Sequence, residues 1–218
     1  KTITAFLALI CLSTLATAGV KIEHWKTASG ARVYFVAARQ LPILDVQLDF
    51  AAGNLYTPPG KAGLPGLTRG LLEAGAAAMD EEKIAGQLVD IGARLGGGVD
   101  SDRASVSLRT LSSKTERDAA LALLHAVLSA PTFPQAVLDR EKTRSIAALR
   151  EADTQPEAIA AKRFAAAIYP DHPYGLSATM ESVAAITRDD ISGFYQQHYA
   201  AKNAAISIIG DVSRDEAE

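Results

Sequence analysis

The sequence predicts an α+β domain, a largely antiparallel sheet with helices packed on it. Strand-like alternation of polar and apolar residues occurs near the start, in the middle and at the end of the chain. Helical periodicities bunch together between those strands. Regular βαβ alternation is therefore excluded, and helices must cover a mostly antiparallel sheet. The composition agrees: 218 residues, 48% hydrophobic and 22% charged, are enough to bury one sizeable core.

The first eighteen residues stand apart. Lys1 precedes the apolar run Ala5-Phe6-Leu7-Ala8-Leu9-Ile10-Cys11-Leu12, and Ala16-Thr17-Ala18 is a small-x-small site. This is the pattern of a secretory signal peptide cut after Ala18, and the run is too short for the roughly 20 residues of a membrane span. Residues 19–218 are then the mature domain. Removing Lys1 takes the net charge from −3 to −4, and removing Cys11 leaves no cysteine. A cysteine-free exported chain suits a periplasm, where thiols are readily oxidised.

The elements follow in order. Ser29-Gly30 joins His24-Trp25-Lys26 to Arg32-Val33-Tyr34-Phe35-Val36 as a hairpin. Asp45 to Phe50 alternates strictly, so Val46, Leu48 and Phe50 face a core. Leu64, Leu67 and Leu71 mark a helix with Pro65 in its first turn. Gly66 and Gly70 inside that helix each cost roughly 1 kcal/mol relative to Ala. Asp80 caps a helix with Ile84, Leu88 and Ile91 on its face, and Gly92 ends it. Gly96-Gly97-Gly98 and Asp100 to Asp102 flank a turn before the alternating strand Ala104 to Arg109, with the glycines read as part of that turn. Ser113-x-x-Glu116 is a capping box for a helix carrying Leu121, Leu124 and Leu128. Pro134 opens a helix running to about Glu151, and Thr154-x-x-Glu157 caps one carrying Ile159, Phe164 and Ile168. Thr187-x-x-Asp190 starts a helix with Ile191, Phe194 and Tyr195, and Ala204 to Ile209 is the last strand. Ser213 to Glu218 reads as the capped start of a further helix, as expected of a fragment of a longer protein.

The residues show no self-contained catalytic centre. With 22 Lys and Arg against 25 Asp and Glu, nothing draws the chain to nucleic acid. Its one cysteine can form neither an internal disulfide nor a Cys-x-x-Cys knuckle. His24, His125, His172 and His198 include no pair at i,i+3 or i,i+4, so no helix offers zinc two imidazoles from one face. There is no Gly-x-Ser-x-Gly elbow and no phosphate-binding Gly-Lys loop. Glu81-Glu82 reads as a solvated pair at a helix N-terminus.

A set of short motifs nevertheless resembles one family. Val46-x-Leu48-x-Phe50-x-Ala52-Gly53-x-x-Tyr56, Gly63-Leu64, Leu71-Leu72-x-x-Gly75 and Leu88-x-x-Ile91-Gly92-Ala93 come first. Pro131-Thr132-Phe133-Pro134, Arg140-Glu141-Lys142, His172-Pro173-Tyr174-Gly175, Phe194-Tyr195-x-x-His198-Tyr199 and Ile208-Ile209-Gly210-Asp211 follow in order. Together they resemble the N-terminal half-domain of the pitrilysin and mitochondrial processing peptidase family, the inverted zincins. The resemblance implies that family's half-domain fold and a His-x-x-Glu-His zinc motif on the helix after Gly63-Leu64. Two imidazoles on one helical face bind the metal, and the Glu activates its water. Those positions fall on Gly66, Arg69 and Gly70, and the third ligand falls near Ala148. The expectation is therefore no metal ligand, no catalytic residue and no cofactor in this chain.

Ligandless relatives of this kind pair with an active homologue and enclose extended peptides. The resemblance thus implies a non-catalytic, periplasmic subunit whose partners are an active zinc peptidase of the same family and a peptide. The strand Asp45 to Phe50 is a candidate edge for β-augmentation by that peptide, unless it is paired within the sheet. An active metalloendopeptidase with ligands supplied elsewhere, and a structural protein of the same fold, are the alternatives.

Overall fold

The computed structural model describes residues 20–218. The signal-peptide expectation for residues 1–18 lies outside them.

Six strands form the main sheet in the order β1-β2-β8-β3-β7-β6. They are β1 (Glu23–Lys26), β2 (Arg32–Ala37), β3 (Ile43–Phe50), β6 (Arg94–Val99), β7 (Ala104–Leu111) and β8 (Ala205–Gly210). Only β2 and β8 run parallel, so the sheet is largely antiparallel as its sequence predicts. Two-residue strands β4 (Gly75–Ala76) and β5 (Met79–Asp80) make a small separate ribbon. The helices are α1 (Leu64–Leu71), α2 (Glu81–Asp90), α3 (Lys114–Ser129), α4 (Gln135–Ala152), α5 (Pro156–Ile168), α6 (Met180–Ala184), α7 (Arg188–His198) and α8 (Arg214–Ala217).

Alternation decides which sheet face is covered. Phe35, Leu44, Val46, Phe50, Val106 and Leu108 point into one core with Leu64, Leu71, Ile84, Leu124, Ile191 and Phe194 from the helices. Asp45 and Gln47 stand on the opposite face, and Arg109 closes a bidentate pair on Asp45 at 2.7 and 2.8 Å. Long-range caps hold the helical layer. Lys142 donates to the Ala184 and Ile186 carbonyls at 2.7 Å, and Lys61 donates to Ala185 and Asp190 at 2.6 Å. The Thr187 and Ser213 boxes form as the sequence predicts. Arg214 then stacks over Trp25, 3.4 Å from the ring centroid.

Several local expectations are corrected. The strand Asp45 to Phe50 takes the paired of its two readings: β3 sits between β8 and β7, and among the described residues the sheet edges are β1 and β6. Gly96-Gly97-Gly98 is not a turn but the middle of β6, with Gly96 opposite Ser107. The turn lies at the expected Asp100 to Asp102, where Asp100 Oδ1 accepts from the backbone N–H groups of Asp102 and Arg103 at 2.7 Å. Pairing with β7 outweighs glycine's poor strand propensity there. On α3 the buried face is Ala120, Leu123, Leu124 and Val127, while Leu121 is exposed. Ser113 bonds the Glu116 carboxylate rather than the helix backbone. Pro134 is the N-cap of α4, one residue ahead of its first turn. Thr154 donates back to the Glu151 carbonyl at 2.7 Å, leaving Gln155 to start α5. Phe164 and Ile168 on α5 are exposed rather than core.

Candidate functional site

The site begins with how α1 is set. Gly63 precedes it at φ +101°, and a Cβ there would press on Val183 Cγ2 at 3.1 Å, so glycine is required. Leu64, Leu67 and Leu71 anchor one face in the core. The other face presents Gly66, Arg69 and Gly70 to a cleft of about 900 Å³. The cleft lies between α1, α2 and α4, with β6 along one side.

Arg69 is the buried cation of this cleft, with 6% of its surface exposed. Its Nε donates to the Ser105 carbonyl on β7 at 2.7 Å, and its Nη1 to Glu73 one turn on at 3.0 Å. Its Nη2 donates to the Gly96 carbonyl on β6. One guanidinium thus ties α1 to two strands. Gly97 makes room for it: at φ +131°, a Cβ there would overlap the Ser105 carbonyl and crowd Arg69 Nη2 at 3.0 Å. The Tyr199 hydroxyl is buried without a hydrogen-bond partner among the described residues, and burial pushes its pKa up against the opposing pull of the Arg69 charge.

The far wall is α4. Ser145, Ala148, Leu149 and Ala152 line it. At the mouth, Arg140 Nη2 meets both Glu81 oxygens at 2.9 Å and its Nε meets Glu141 at 2.9 Å. Hydrogen bonds from Arg140 to Glu141 first, and to Glu81 second, raise the guanidinium's already high pKa. Glu81 is exposed in the first turn of α2, as its sequence suggests, and is also ion-paired with Arg140 at the cleft.

All four positions that the sequence aligns with metal-site residues meet here: Gly66, Arg69, Gly70 and Ala148 line this single cleft. None of the four side chains can ligate a divalent cation, and the residues present do not fit zinc. The cleft carboxylates Glu73, Glu81 and Glu141 are each turned onto a guanidinium. Among the described residues, no group of three or more His, Cys, Asp and Glu is placed to hold a metal. The histidines are dispersed. His24 and His125 are exposed on β1 and α3, His172 accepts from the Tyr174 N–H at 3.2 Å, and His198 pairs through Nδ1 with the Ala51 carbonyl at 2.9 Å.

The family model described as insulinase, peptidase family M16, matches residues 32–182, and the M16 inactive-domain model matches residues 185–218. The chain belongs to peptidase family M16.

Solved M16 structures have the same fold. A peptidase M16 inactive domain from Pseudomonas fluorescens superposes with a TM-score of 0.88 and 36% identity, covering 91% of this chain and 48% of that one. The periplasmic protease PqqL from Escherichia coli superposes at 0.80 with 16% identity, over 90% of this chain and 23% of its own. Among curated proteins, an uncharacterized zinc protease of Rickettsia bellii is 22% identical over 173 residues, 78% of this chain and 42% of that protein. This chain spans less than half the length of these relatives. Among its described residues no helix is long and apolar enough to cross a membrane.

Sequence reasoning located α1 and α4 but missed the β6 edge and the ion pairs of Arg69 and Arg140. The i,i+4 spacing of Arg69 and Glu73 was a legible signal. The contacts of Arg69 to β6 and β7, over separations of 27 and 36 residues, carried none.

Proposed function

We propose that this M16 chain is a non-catalytic half-shell: an exported, periplasmic subunit that binds extended peptide and works beside an active homologue bearing His-x-x-Glu-His. Residues 19–218 are its N-terminal domain and residues 1–18 its signal. One observation carries the reading. Where an M16 peptidase needs two imidazoles, a carboxylate base and a third ligand, one cleft here presents two glycines, a guanidinium and an alanine. A guanidinium committed to the Gly96 and Ser105 carbonyls can neither activate water as a base nor tolerate a dication beside it. The peptide would add to β6, which among the described residues is the sheet edge bordering the cleft.

The test uses the full-length protein without residues 1–18, alone and co-expressed with an M16 homologue carrying the intact motif. Metal analysis should find no stoichiometric zinc in the isolated protein, and a peptide library should stay uncut until the homologue is added. One zinc per chain together with cleavage by the isolated protein overturns the proposal. Recovery of respiratory-complex subunits, rather than a peptidase, in pull-downs from the periplasm would point instead to a structural role.

A further inference from the structure

Lys26 and Arg32 stand directly opposite each other across the β1–β2 pair. Trp25 and Phe35 pack on the core, so alternation turns both cations to the sheet face opposite the helices. Like charges opposed in this way destabilise a strand pair. The same face holds a second such pair, Arg94 opposite Arg109, and there Asp45 offsets the charge through its bidentate bond to Arg109. Among the described residues no carboxylate does this for Lys26 and Arg32. Glu23 meets Lys21 at 3.0 Å and Arg214 at 3.8 Å. Asp49 accepts from the Ser105 hydroxyl at 2.6 Å and the Gln47 amide at 2.9 Å, and meets Arg103 at 3.8 Å.

A third cation joins them. Arg32 pairs in register with Ala205, and its backbone N–H donates to the Ala204 carbonyl at 3.1 Å, which brings the 3₁₀ turn Ala201–Asn203 beside the hairpin. Lys26, Arg32 and Lys202 thereby line one notch of about 370 Å³ with Gly30, Ala51 and Asn203, and no acidic residue lines it. The Ala51 carbonyl on its wall is already taken by His198 Nδ1 at 2.9 Å. Gly30 keeps the notch open. Its φ of +92° favours glycine, and a Cβ there would already reach within 3.6 Å of the Lys202 backbone.

We propose that this notch binds a phosphate group, as inorganic phosphate or as a phosphate monoester. Arg32 supplies a planar fork, Lys26 and Lys202 supply point charges, and the Asn203 amide adds a neutral donor. A phosphate carries close to two negative charges and several acceptor oxygens, so it offsets most of the repulsion and accepts from more than one cation at once; a carboxylate brings a single charge. The proposal stands apart from the half-shell reading, and neither depends on the other.

Backbone amide NMR of the full-length protein without residues 1–18 tests it, with sodium phosphate titrated against sodium chloride at equal ionic strength. Phosphate should give saturable shifts centred on Lys26, Gly30, Arg32, Lys202 and Asn203 that chloride does not reproduce. Arg32→Gln and Lys202→Gln should each weaken binding about five-fold or more. Arg94→Gln removes an exposed cation of the same face outside the notch, and should leave binding within about two-fold. Phosphate should also raise the melting temperature of the parent and of Arg94→Gln, but not that of Arg32→Gln. Co-sedimentation with phosphatidic acid vesicles, against phosphatidylcholine vesicles, separates the sources of the group. Binding that Arg32→Gln abolishes assigns the site to a membrane phosphate, and no binding assigns it to a soluble one. Shifts that never saturate or that chloride matches overturn the site. So does unchanged affinity in both notch variants, or an equal loss in Arg94→Gln.

Discussion

Replacing Arg69 with methionine removes the guanidinium while keeping most of the aliphatic stem. The Ser105 and Gly96 carbonyls then lose their donor and Glu73 loses its cation. A hydrogen bond to a charged group contributes about 1.5–3 kcal/mol, so the two carbonyl bonds set an upper bound near 6 kcal/mol. Two effects reduce that figure. Ser105 and Gly96 are only partly buried and the cleft is open, so water can replace part of what is lost. Methionine also spares the desolvation of a buried cation. The loss of Glu73's partner adds little, because that carboxylate is partly exposed. The net expectation is a destabilisation of about 2–3 kcal/mol, which lowers Tm by about 5–10 °C in a domain of this size. Arg69→Lys should recover less than half, since an ammonium lacks the planar fork that reaches two strands. Urea melts supply the magnitude and hydrogen exchange supplies the location: protection of residues 96–99 should fall more than that of β3. A change below 0.5 kcal/mol, or unaltered protection along β6, would refute the view that this side chain pins the strand.

Gly97→Ala should cost more than about 2 kcal/mol, from the strained φ and the overlap with the Ser105 carbonyl, and should loosen the same strand. Combined with Arg69→Met its cost should be less than additive, because both variants break one contact; a double-mutant cycle in urea checks this. At the chain end, the Ser213 backbone N–H, then Arg117, then the Ser213 hydroxyl hold the Glu216 carboxyl down to about 2. A depressed folded pKa contributes stability above the ordinary carboxylate value of 4.5, and that contribution is lost as pH falls through that window toward 2. Glu216→Gln should therefore melt below the parent at pH 7, and the gap should close by pH 2.

The fold was legible wherever a local pattern met a buried surface. The alternation of β3 and β7, the Leu64-Leu67-Leu71 stripe and the Thr187 box all depend on near neighbours, and all appear where they were expected. Errors cluster where a distant element decides. That Ile43–Phe50 is paired follows from the tendency of sheets to cover edges, but nothing within it says that the partner will be β8, some 155 residues later, inserted between it and β2. Leu121 fits a helical stripe as well as Leu123 does, and only the docking of α3 on β7 selects between them.

The site was legible for a different reason. Glycine is costly inside a helix, so two of them four residues apart on α1 mark a place where something other than helix stability was kept. Their alignment with a metal motif explains why no ligand stands there, but not why alanine, which fits both positions without contact, does not. Ala148, on an α4 helix where alanine is the favoured residue, carries no such mark and gains meaning only by facing α1 across the cleft. Loss of a metal would by itself let the cavity fill, since each methyl group added to the walls removes empty volume and improves helix propensity. Arg69, by contrast, has a use that the structure shows: it holds β6 and β7 to α1 beside the open cleft.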